Sequence, residues 1–282
     1  FDMTNDSHLF KTEPGAGRLP LYEGKMIHQF EFQLAEPRYW IEINKAESIL
    51  RAARIRNLTQ KLKNVVTDNA VIDALVKSDE IPLDHHRYRF GFRDIAASTN
   101  KRAMICSVLP PHIFAGNTLN LLQPYVFEVN ENGWIDQLSL DAFELLFVVA
   151  CFNSFIVDWL LRQKITSHLN MFYVYQIPIP RLTATDPAFL PIVHRAAQLI
   201  CLTPEFDELA AAVGLESHRD GVNDANERAQ LRAELDGLIA HLYGLTDDEF
   251  AHVLATFPLV DKEVKAAALA AYRNYVHNEN RL

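Results

Sequence analysis

The chain has 282 residues, enough for one large domain or two ordinary domains with a sizeable apolar core. Its formal net charge of −9 excludes a uniformly basic nucleic-acid-binding protein, and 49% hydrophobic residues are typical of a globular protein. The acidity is unevenly placed. Residues 1–182 carry 19 Lys and Arg against 20 Asp and Glu, whereas residues 183–282 carry 8 against 16. Two local basic stretches, 38–63 and 85–102, therefore lie in a nearly neutral region.

The cysteines and the N-terminus indicate a cytoplasmic protein. Cys106, Cys151 and Cys201 are widely spaced in apolar surroundings without any CxxC pair, which predicts buried free thiols in a reducing compartment. The first residues lack the charged and apolar regions of a secretory signal. The chain begins at Phe1 instead of Met, which indicates a piece of a longer protein.

Short segments with apolar residues at alternate positions, or with continuous apolar runs, predict strands in the first two thirds of the chain. Gly and Pro residues bound several of them, as strand ends and turns require. The predicted strands are 37–43, 87–93, 102–110, 123–129 and 170–180, and a short basic helix is predicted at 45–57.

The segment 87–93 is the most regular of these predicted strands. Arg87, Arg89 and Arg93 occupy odd positions, and aromatic residues occupy the even ones. Successive side chains of a strand point to opposite faces, so the spacing predicts a guanidinium row opposite an aromatic row. The inward aromatic residues are Tyr88, Phe90 and Phe92.

An apolar segment at 143–161 is long enough to cross a membrane. Glu144, Asn153 and Asp158 interrupt it, and polar groups are costly in lipid. The segment therefore predicts a central core helix from about Ser139 to Lys164, with Asn153 and Asp158 as satisfied core polar groups.

The last third predicts helices. Leucines recur at helical spacing in 227–243, Gly244 suits the position after the helix, and the sequence TDDE at 246–249 is a capping box. The predicted fold class is α+β: a mixed α/β domain with a long buried core helix, followed by an α-helical C-terminal region. The predicted divisions are a leading linker at 1–19, the α/β domain at 20–182 and the helical region at 183–282.

Several enzymatic chemistries find little support. Glu23-Gly24-Lys25 matches half of a metal-dependent nuclease pattern, but the partner carboxylate would be Asp2 or Asp6 in the predicted linker. The Asp-His-His sequence at 84–86 is the tightest group of possible metal ligands, and a solvated turn is its better interpretation. Nucleophile motifs and glycine-rich nucleotide loops are absent from the sequence.

Nucleic-acid binding remains open on residue chemistry. Arg, Lys, Ser, Thr and Asn contact phosphates, and Arg and Asn also contact base edges. The sequences STNKR at 98–102 and RQKITSHLN at 162–170 both supply these residue types. A solvated loop with surface ion pairs is the alternative for both.

Four stretches in order resemble one protein family: 19–30, 92–110, 152–180 and 234–258. They are similar to the C-terminal part of the large single-chain restriction enzyme–methylases of type IIG and the related phage-defence adenine methyltransferases. The resemblance implies a target recognition domain that presents double-stranded DNA to an upstream methyltransferase domain of the same chain. That domain uses S-adenosylmethionine, and Mg²⁺ is expected where the parent protein also cleaves DNA.

The methyltransferase signature of that family, Asn or Asp followed by Pro-Pro and an aromatic residue, is absent from this sequence. The only Pro-Pro pair lies between Leu109 and His112. The resemblance therefore implies a recognition module without catalytic residues, cofactor or metal of its own, and without a membrane partner.

Two sets of residues are expected to contact DNA. The alternative function is that of a protein interaction or scaffold module, in which the arginine strand pairs with the acidic C-terminal region. The predicted DNA-binding residues are Arg87, Arg89, Arg93, Ser98, Asn100, Lys101, Arg102, Lys164, Ser167, His168 and Asn170. The predicted phosphate-positioning residues are Lys25, Lys45, Arg51, Arg54 and Arg56.

Overall fold

The computed structural model describes residues 1–76, 81–97, 100–130, 132–165 and 167–279, and the side chains of residues 276–279 lie outside this description. Within these ranges the fold is α+β, as the sequence predicts. The strands are β1 (Arg18–Tyr22), β2 (Tyr39–Glu42), β3 (Arg89–Arg93), β4 (Cys106–Leu109), β5 (Phe114–Ala115), β6 (Leu119–Leu121), β7 (Tyr125–Asn130) and β8 (Gly133–Leu138). The α-helices are α1 (Ile43–Leu62), α2 (Asn69–Leu75), α3 (Ala142–Asn153), α4 (Phe155–Arg162), α5 (Met171–Val174), α6 (Phe189–Ile200), α7 (Asp207–Ala212), α8 (Ala225–Leu242), α9 (Asp247–Ala255) and α10 (Lys262–Glu279).

The described strands form three small sheets, ordered β2–β1–β5, β4–β3–β6 and β7–β8. β3 is the central strand of its sheet and pairs antiparallel with both neighbours. The predicted strand at 87–93 is thus confirmed over Arg89–Arg93, and Phe90 and Phe92 are buried as expected. Because β3 has a strand on each side, its backbone groups are satisfied within the sheet.

The N-terminal nineteen residues contact the first sheet. The amino group of Phe1 donates to the carbonyl of Ala115 at 2.9 Å, and Leu9 is buried. α1 follows β2 directly and extends beyond the predicted helix at 45–57 to cover Ile43–Leu62.

The prediction of one helix from Ser139 to Lys164 is wrong, because the chain bends between α3 and α4. The two helices meet at an angle of 60° around Ser154. The Ser154 side chain accepts a hydrogen bond from the Val157 N–H and therefore caps α4, while its hydroxyl donates to the Cys151 carbonyl. Serine competes with helical backbone bonds in this way, which favours caps over helix interiors.

The neighbouring Asn153 attaches the bend between α3 and α4 to β4. Its side-chain amide donates to the Cys106 carbonyl at 3.0 Å and accepts from the Cys106 N–H at 3.2 Å. In the described part of the chain no single helix is long and apolar enough to cross a membrane, and α3 and α4 pass that test only as a bent pair.

Asp158 on α4 is fully buried and holds several donors. Its carboxylate contacts the Arg162 Nε at 2.7 Å and the Arg102 Nε at 3.0 Å, and it accepts from the backbone N–H groups of Ala103 and Met104. Both polar residues predicted for the core, Asn153 and Asp158, are therefore satisfied. A buried carboxylate tolerates the interior when it is paired and hydrogen-bonded in this manner.

The predicted strand at 170–180 is also wrong. Asn170 accepts a hydrogen bond from the Phe172 N–H and caps the single helical turn α5. β-propensity reflects packing beside another strand more than a backbone preference, and no described strand pairs with this segment. The local cap therefore decides its conformation.

The helical C-terminal region agrees with the prediction. Thr246 and Glu249 form the expected capping box of α9, and Gly244 after α8 has a φ of 71°. α8 packs against α10 so closely at Gly237 that an added Cβ would lie 2.6 Å from the Tyr272 nitrogen. The largest cluster of buried apolar side chains takes residues from both sides of residue 183. The three cysteines are buried and free, as predicted.

We expect Asp158→Ala to lower the free energy of unfolding by about 3–5 kcal/mol, because it leaves two nearly buried arginines without their carboxylate. Urea denaturation followed by circular dichroism measures this change. Asp261→Ala is the matched control, since the Asp261 side chain is 67% exposed and its contact with Lys101 is 3.5 Å long. Equal unfolding midpoints for the two variants would contradict the assignment.

Candidate nucleic-acid interface

The structure joins the two loop stretches that the sequence analysis selected for DNA contact. The Leu169 N–H donates to the Asp94 carbonyl at 2.7 Å, and the Ala96 N–H donates to the Ser167 carbonyl at 3.1 Å. Ile95 and His168 form an antiparallel bridge between these bonds. The chain leaving β3 and the chain after α4 therefore run side by side.

Side chains reinforce this pairing. The Asp94 carboxylate lies 2.8 Å from the Nδ1 of His168 and accepts from the Asn120 amide at 3.1 Å. The same Asn120 amide donates to the Leu169 carbonyl at 3.0 Å. Both oxygens of the Asp94 carboxylate are thus hydrogen-bonded to neighbouring side chains of this surface.

Arg162 fixes the second half of the stretch 98–102. Its Nη2 donates to the Asn100 carbonyl at 2.5 Å and to the Lys101 carbonyl at 3.0 Å. The backbone beneath the exposed Asn100 and Lys101 side chains is consequently anchored to α4. Ser98, also predicted to contact DNA, lies outside the described residues.

We call the surface formed by residues 94–97, 100–101, 163–165 and 167–176 the two-loop surface. Lys101 and His168 have side chains 64% and 63% exposed, and the Lys164 ammonium contacts the Gln176 side chain at 3.3 Å. The predicted DNA-binding residues that remain exposed on it are Asn100, Lys101, Lys164, Ser167, His168 and Asn170.

Two aromatic side chains of this surface escaped the sequence analysis. Phe172 is 68% exposed and Tyr175 is 73% exposed, and Ile95, which bridges to His168, is 62% exposed. The prediction of a strand at 170–180 placed such residues in a sheet. The available signal was the density of aromatic residues directly after the polar stretch 162–170. Large exposed apolar side chains that lie together mark interaction sites.

The predicted guanidinium row does not form, which corrects the expectation for Arg89. That side chain is 2% exposed, and its guanidinium donates to the carbonyls of Ile113 at 2.7 Å and Pro110 at 3.3 Å. Burial lowers the pKa of Arg89 to about 10. Both faces of β3 are covered by other parts of the protein. The alternation of arginine and aromatic residues therefore separates two buried faces, and DNA cannot reach Arg89.

The other two strand arginines have different surroundings. Arg93 is half-buried and donates through Nε to the Ile27 carbonyl at 2.9 Å, and burial lowers the pKa of its guanidinium. Arg87 precedes β3, is exposed, and lies 6.0 Å from the ring of Tyr125. Arg93 is therefore held by protein carbonyl oxygen, and Arg87 is the most accessible of the three.

Arg102 is likewise a structural residue, contrary to the prediction that it contacts DNA. Its guanidinium pairs with Asp158 and lies 4.1 Å from the centroid of the Phe155 ring. Only 11% of the side chain is exposed. Its charge is used inside the protein to compensate a buried carboxylate.

The predicted phosphate-positioning residues divide in the same way. Arg51 contacts the Glu47 carboxylate at 3.3 Å, and Arg54 contacts Asp84 at 2.5 Å. Lys25 lies 3.2 Å from its near neighbour Glu23. Lys45 and Arg56 on α1 are exposed. Arg54 thus ties α1 to the turn before β3, and Arg51 also donates to the Ile81 carbonyl at 3.2 Å.

A large cavity lies beside the two-loop surface. Its volume is about 1240 Å³, and its walls come from the β3–β4 region and from α8 and α10. Basic residues from both parts line it: Arg93, Lys101, Arg102, Arg195 and Arg232. Acidic residues from the helical region also line it: Glu234, Asp236, Asp261 and Glu263.

Asp236 is the buried carboxyl of this cavity wall. It accepts a hydrogen bond from the Phe155 N–H at 2.9 Å and is 8% exposed. Burial raises its pKa from the ordinary 3.8 to about 6, and the nearby Arg102 acts in the opposite direction. The charged form of Asp236 is thus disfavoured by the fold.

Comparison with known proteins adds no relative. No protein-family model matches this chain, and no curated protein sequence matches it significantly. The likeness to the restriction enzyme–methylases therefore stays a resemblance carried by the four stretches.

The raised pKa of Asp236 predicts a loss of stability with rising pH. The native state holds its proton more tightly than the unfolded state, so the free energy of unfolding falls as pH rises from about 4 to 6. We expect Asp236→Asn to become more stable than the wild type above pH 6, by up to about 3 kcal/mol. The difference should shrink towards pH 4 in urea titrations. A pH-independent difference, such as the control Asp261→Asn should give, would contradict this prediction.

Proposed function

We propose that this chain is a sequence-specific recognition module for double-stranded DNA, which directs S-adenosylmethionine-dependent adenine methylation by an upstream methyltransferase domain. Cleavage accompanies methylation where the parent protein also carries a nuclease domain. The observation that best supports this proposal is the two-loop surface, where both predicted polar stretches meet beside exposed aromatic side chains. The module itself supplies no catalytic residue in this proposal.

The polar residues of the two-loop surface suit phosphate and base contacts. Lys101 and Lys164 supply flexible positive charges for phosphates, and Ser167 and His168 supply donors and acceptors. The Asn170 Oδ1 already accepts from the Phe172 N–H at 3.0 Å. Asn170 therefore has its amide N–H groups for a base or phosphate, and bidentate pairing with adenine requires the cap to open.

Phe172 and Tyr175 add a second mode of contact. DNA methyltransferases extrude the target base from the duplex, and the extrusion costs a few kcal/mol of lost stacking. Exposed aromatic side chains stack on bases or insert between base steps and offset part of this cost. An aromatic pair adjoining Lys164 and Asn170 fits that task.

The charge distribution is compatible with this role in an acidic protein. The net charge of −9 arises almost entirely from residues 183–282. On the two-loop surface Asp94 is paired with His168, and the neighbouring Asp261 contacts Lys101 at 3.5 Å. DNA approaching Lys101 can replace this exposed contact at small cost, because surface ion pairs contribute little to stability.

The scaffold alternative loses one of its supports. It required the arginine strand to pair with the acidic C-terminal region, but Arg89 and Arg93 donate to backbone carbonyl groups instead. The exposed Phe172 and Tyr175 would also suit a protein partner. DNA titrations distinguish the two functions.

The nuclease alternative gains no support. Lys25 contacts Glu23 itself, and the Asp2 carboxylate accepts from the Thr4 and Asn5 N–H groups. Among the described residues, the one group of three possible metal ligands does not include Glu23.

Lys164→Ala should reduce the salt dependence of DNA binding. Each phosphate contact contributes about 0.9 to the slope of log affinity against log salt, so one lost contact lowers the slope by about 1. Fluorescence anisotropy of a labelled duplex, titrated at several salt concentrations, measures it. Lys63→Ala is the matched control, because this exposed lysine at the end of α1 lies outside the two-loop surface and is not a predicted DNA contact. If both variants keep the wild-type affinity and slope, Lys164 does not contact DNA.

Phe172→Ala should weaken binding to the cognate duplex about fivefold or more, since one aromatic–base stack is worth about 1–3 kcal/mol. Methylome sequencing of the host supplies the cognate sequence, and the salt slope should stay unchanged because no charge is removed. Ile135→Ala removes a 56% exposed apolar side chain of β8, outside the two-loop surface, and serves as the control. Unchanged affinity in Phe172→Ala together with Lys164→Ala would favour the scaffold alternative.

A further inference from the structure

A group of three possible metal ligands lies at the other end of β3, away from the two-loop surface. Glu47 on α1 faces the short 3-10 turn Asp84–His86 that precedes β3. The Glu47 Oε1 lies 3.2 Å from the His85 Nε2 and 3.0 Å from the His86 Nε2. The sequence predicts a solvated turn here, but His85 is 2% exposed, which corrects that expectation. Glu47 lies 38 residues away, so only the fold completes the group.

The separations suit a small divalent cation. In a tetrahedral zinc site with bonds of 2.0–2.1 Å, two ligand atoms lie about 3.3 Å apart. The two Glu47–imidazole distances are within a few tenths of an ångström of that value, and one ligand atom from each residue lies within 4.8 Å of the others.

The surrounding residues hold two of the ligands in place. Arg51 contacts the Glu47 Oε2 at 3.3 Å, which leaves Oε1 directed to the imidazoles. The His85 carbonyl accepts from the His112 N–H at 2.7 Å, and the Phe114 ring lies 4.8 Å from the His85 ring. Such outer contacts orient metal ligands and contribute to affinity.

The charge state of the His85 imidazole also fits. Burial, followed by the neighbouring His86 and Arg89, lowers the pKa of His85 to about 4, so its ring is neutral at pH 7. Neutral imidazole and ionised carboxylate are the forms that bind metal. The site is inferred from the distances between the three ligand atoms, and the lowered pKa of His85 is only consistent with it.

We propose that Glu47, His85 and His86 form a binding site for a first-row divalent cation such as Zn²⁺, with the remaining coordination position open to water. Two histidines and one carboxylate form a common set of three protein ligands for Zn²⁺. The bound ion would tie α1 to the turn before β3. Among the described residues the His85 Nδ1 has no hydrogen-bond partner, so its N–H would lack an acceptor from them in the metal-bound form. We therefore expect micromolar affinity, weaker than that of a closed structural zinc site.

Metal titration of the tag-free chain tests the site. Competition with a chromogenic chelator should show one Zn²⁺ per chain, and Glu47→Gln and His86→Gln should each weaken binding at least tenfold. The control His252→Gln removes an exposed histidine from the helical region and should retain the wild-type affinity. Added Zn²⁺ should raise the melting temperature of the wild type and of His252→Gln, and leave that of Glu47→Gln unchanged.

Two outcomes would overturn the proposal. One is the absence of stoichiometric Zn²⁺ binding by the wild type. The other is retention of wild-type affinity by a folded His86→Gln variant. This substitution changes a side chain that is 42% exposed, so loss of folding does not obscure the result. The proposal is independent of DNA binding, and neither outcome bears on the two-loop surface.

Discussion

The buried carboxylate of Asp158 sets the position of the candidate interface, because a charge in the interior must collect donors from whatever surrounds it. Here the donors come from three places: Arg162 one helical turn along α4, Arg102, and the backbone N–H groups of Ala103 and Met104 ahead of β4. α4 is therefore bound to the chain that leads into β4. Arg162 also donates to the carbonyls of Asn100 and Lys101. The backbone that carries the exposed Lys101 side chain is thus held in place by Arg162.

The bend at Ser154 makes this arrangement possible. The 60° change of direction between α3 and α4 accompanies the cap formed by Ser154 and the two hydrogen bonds between the Asn153 side chain and the Cys106 backbone in β4. The chain after α4 then returns beside the end of β3, where the Ala96 and Leu169 N–H groups pair with carbonyls of the opposite stretch. Polar residues inside an apolar segment thus create the geometry that joins two distant loops. One of them, Asn153, is also among the residues that argued against a membrane span.

The sequence predicts local structure well, but it does not predict which charged side chains are buried and bonded within the protein. The capping box at Thr246, the buried Phe90 and Phe92, and the α+β class all follow from short-range patterns. The burial of Arg89 does not follow from such a pattern. Alternation along a strand assigns residues to two faces, but it does not say which face other parts of the protein cover. β3 became a central strand, so both faces are buried. The segment 170–180 failed for a related reason: its β-forming residues have no described strand beside them, and the Asn170 cap prevails.

The grouping of Glu47 with His85 and His86 could not be predicted for a different reason. The three residues come together through the packing of α1 against the turn before β3, a contact between segments 38 residues apart. That turn and the two-loop surface lie at opposite ends of β3, a five-residue strand that spans about 17 Å. β3 is paired on both sides and packed on both faces, so it holds the two regions apart by its own length. An ion at Glu47 would therefore act on this fold by strengthening the attachment of α1, and DNA contact at Lys164 and Phe172 would proceed without it.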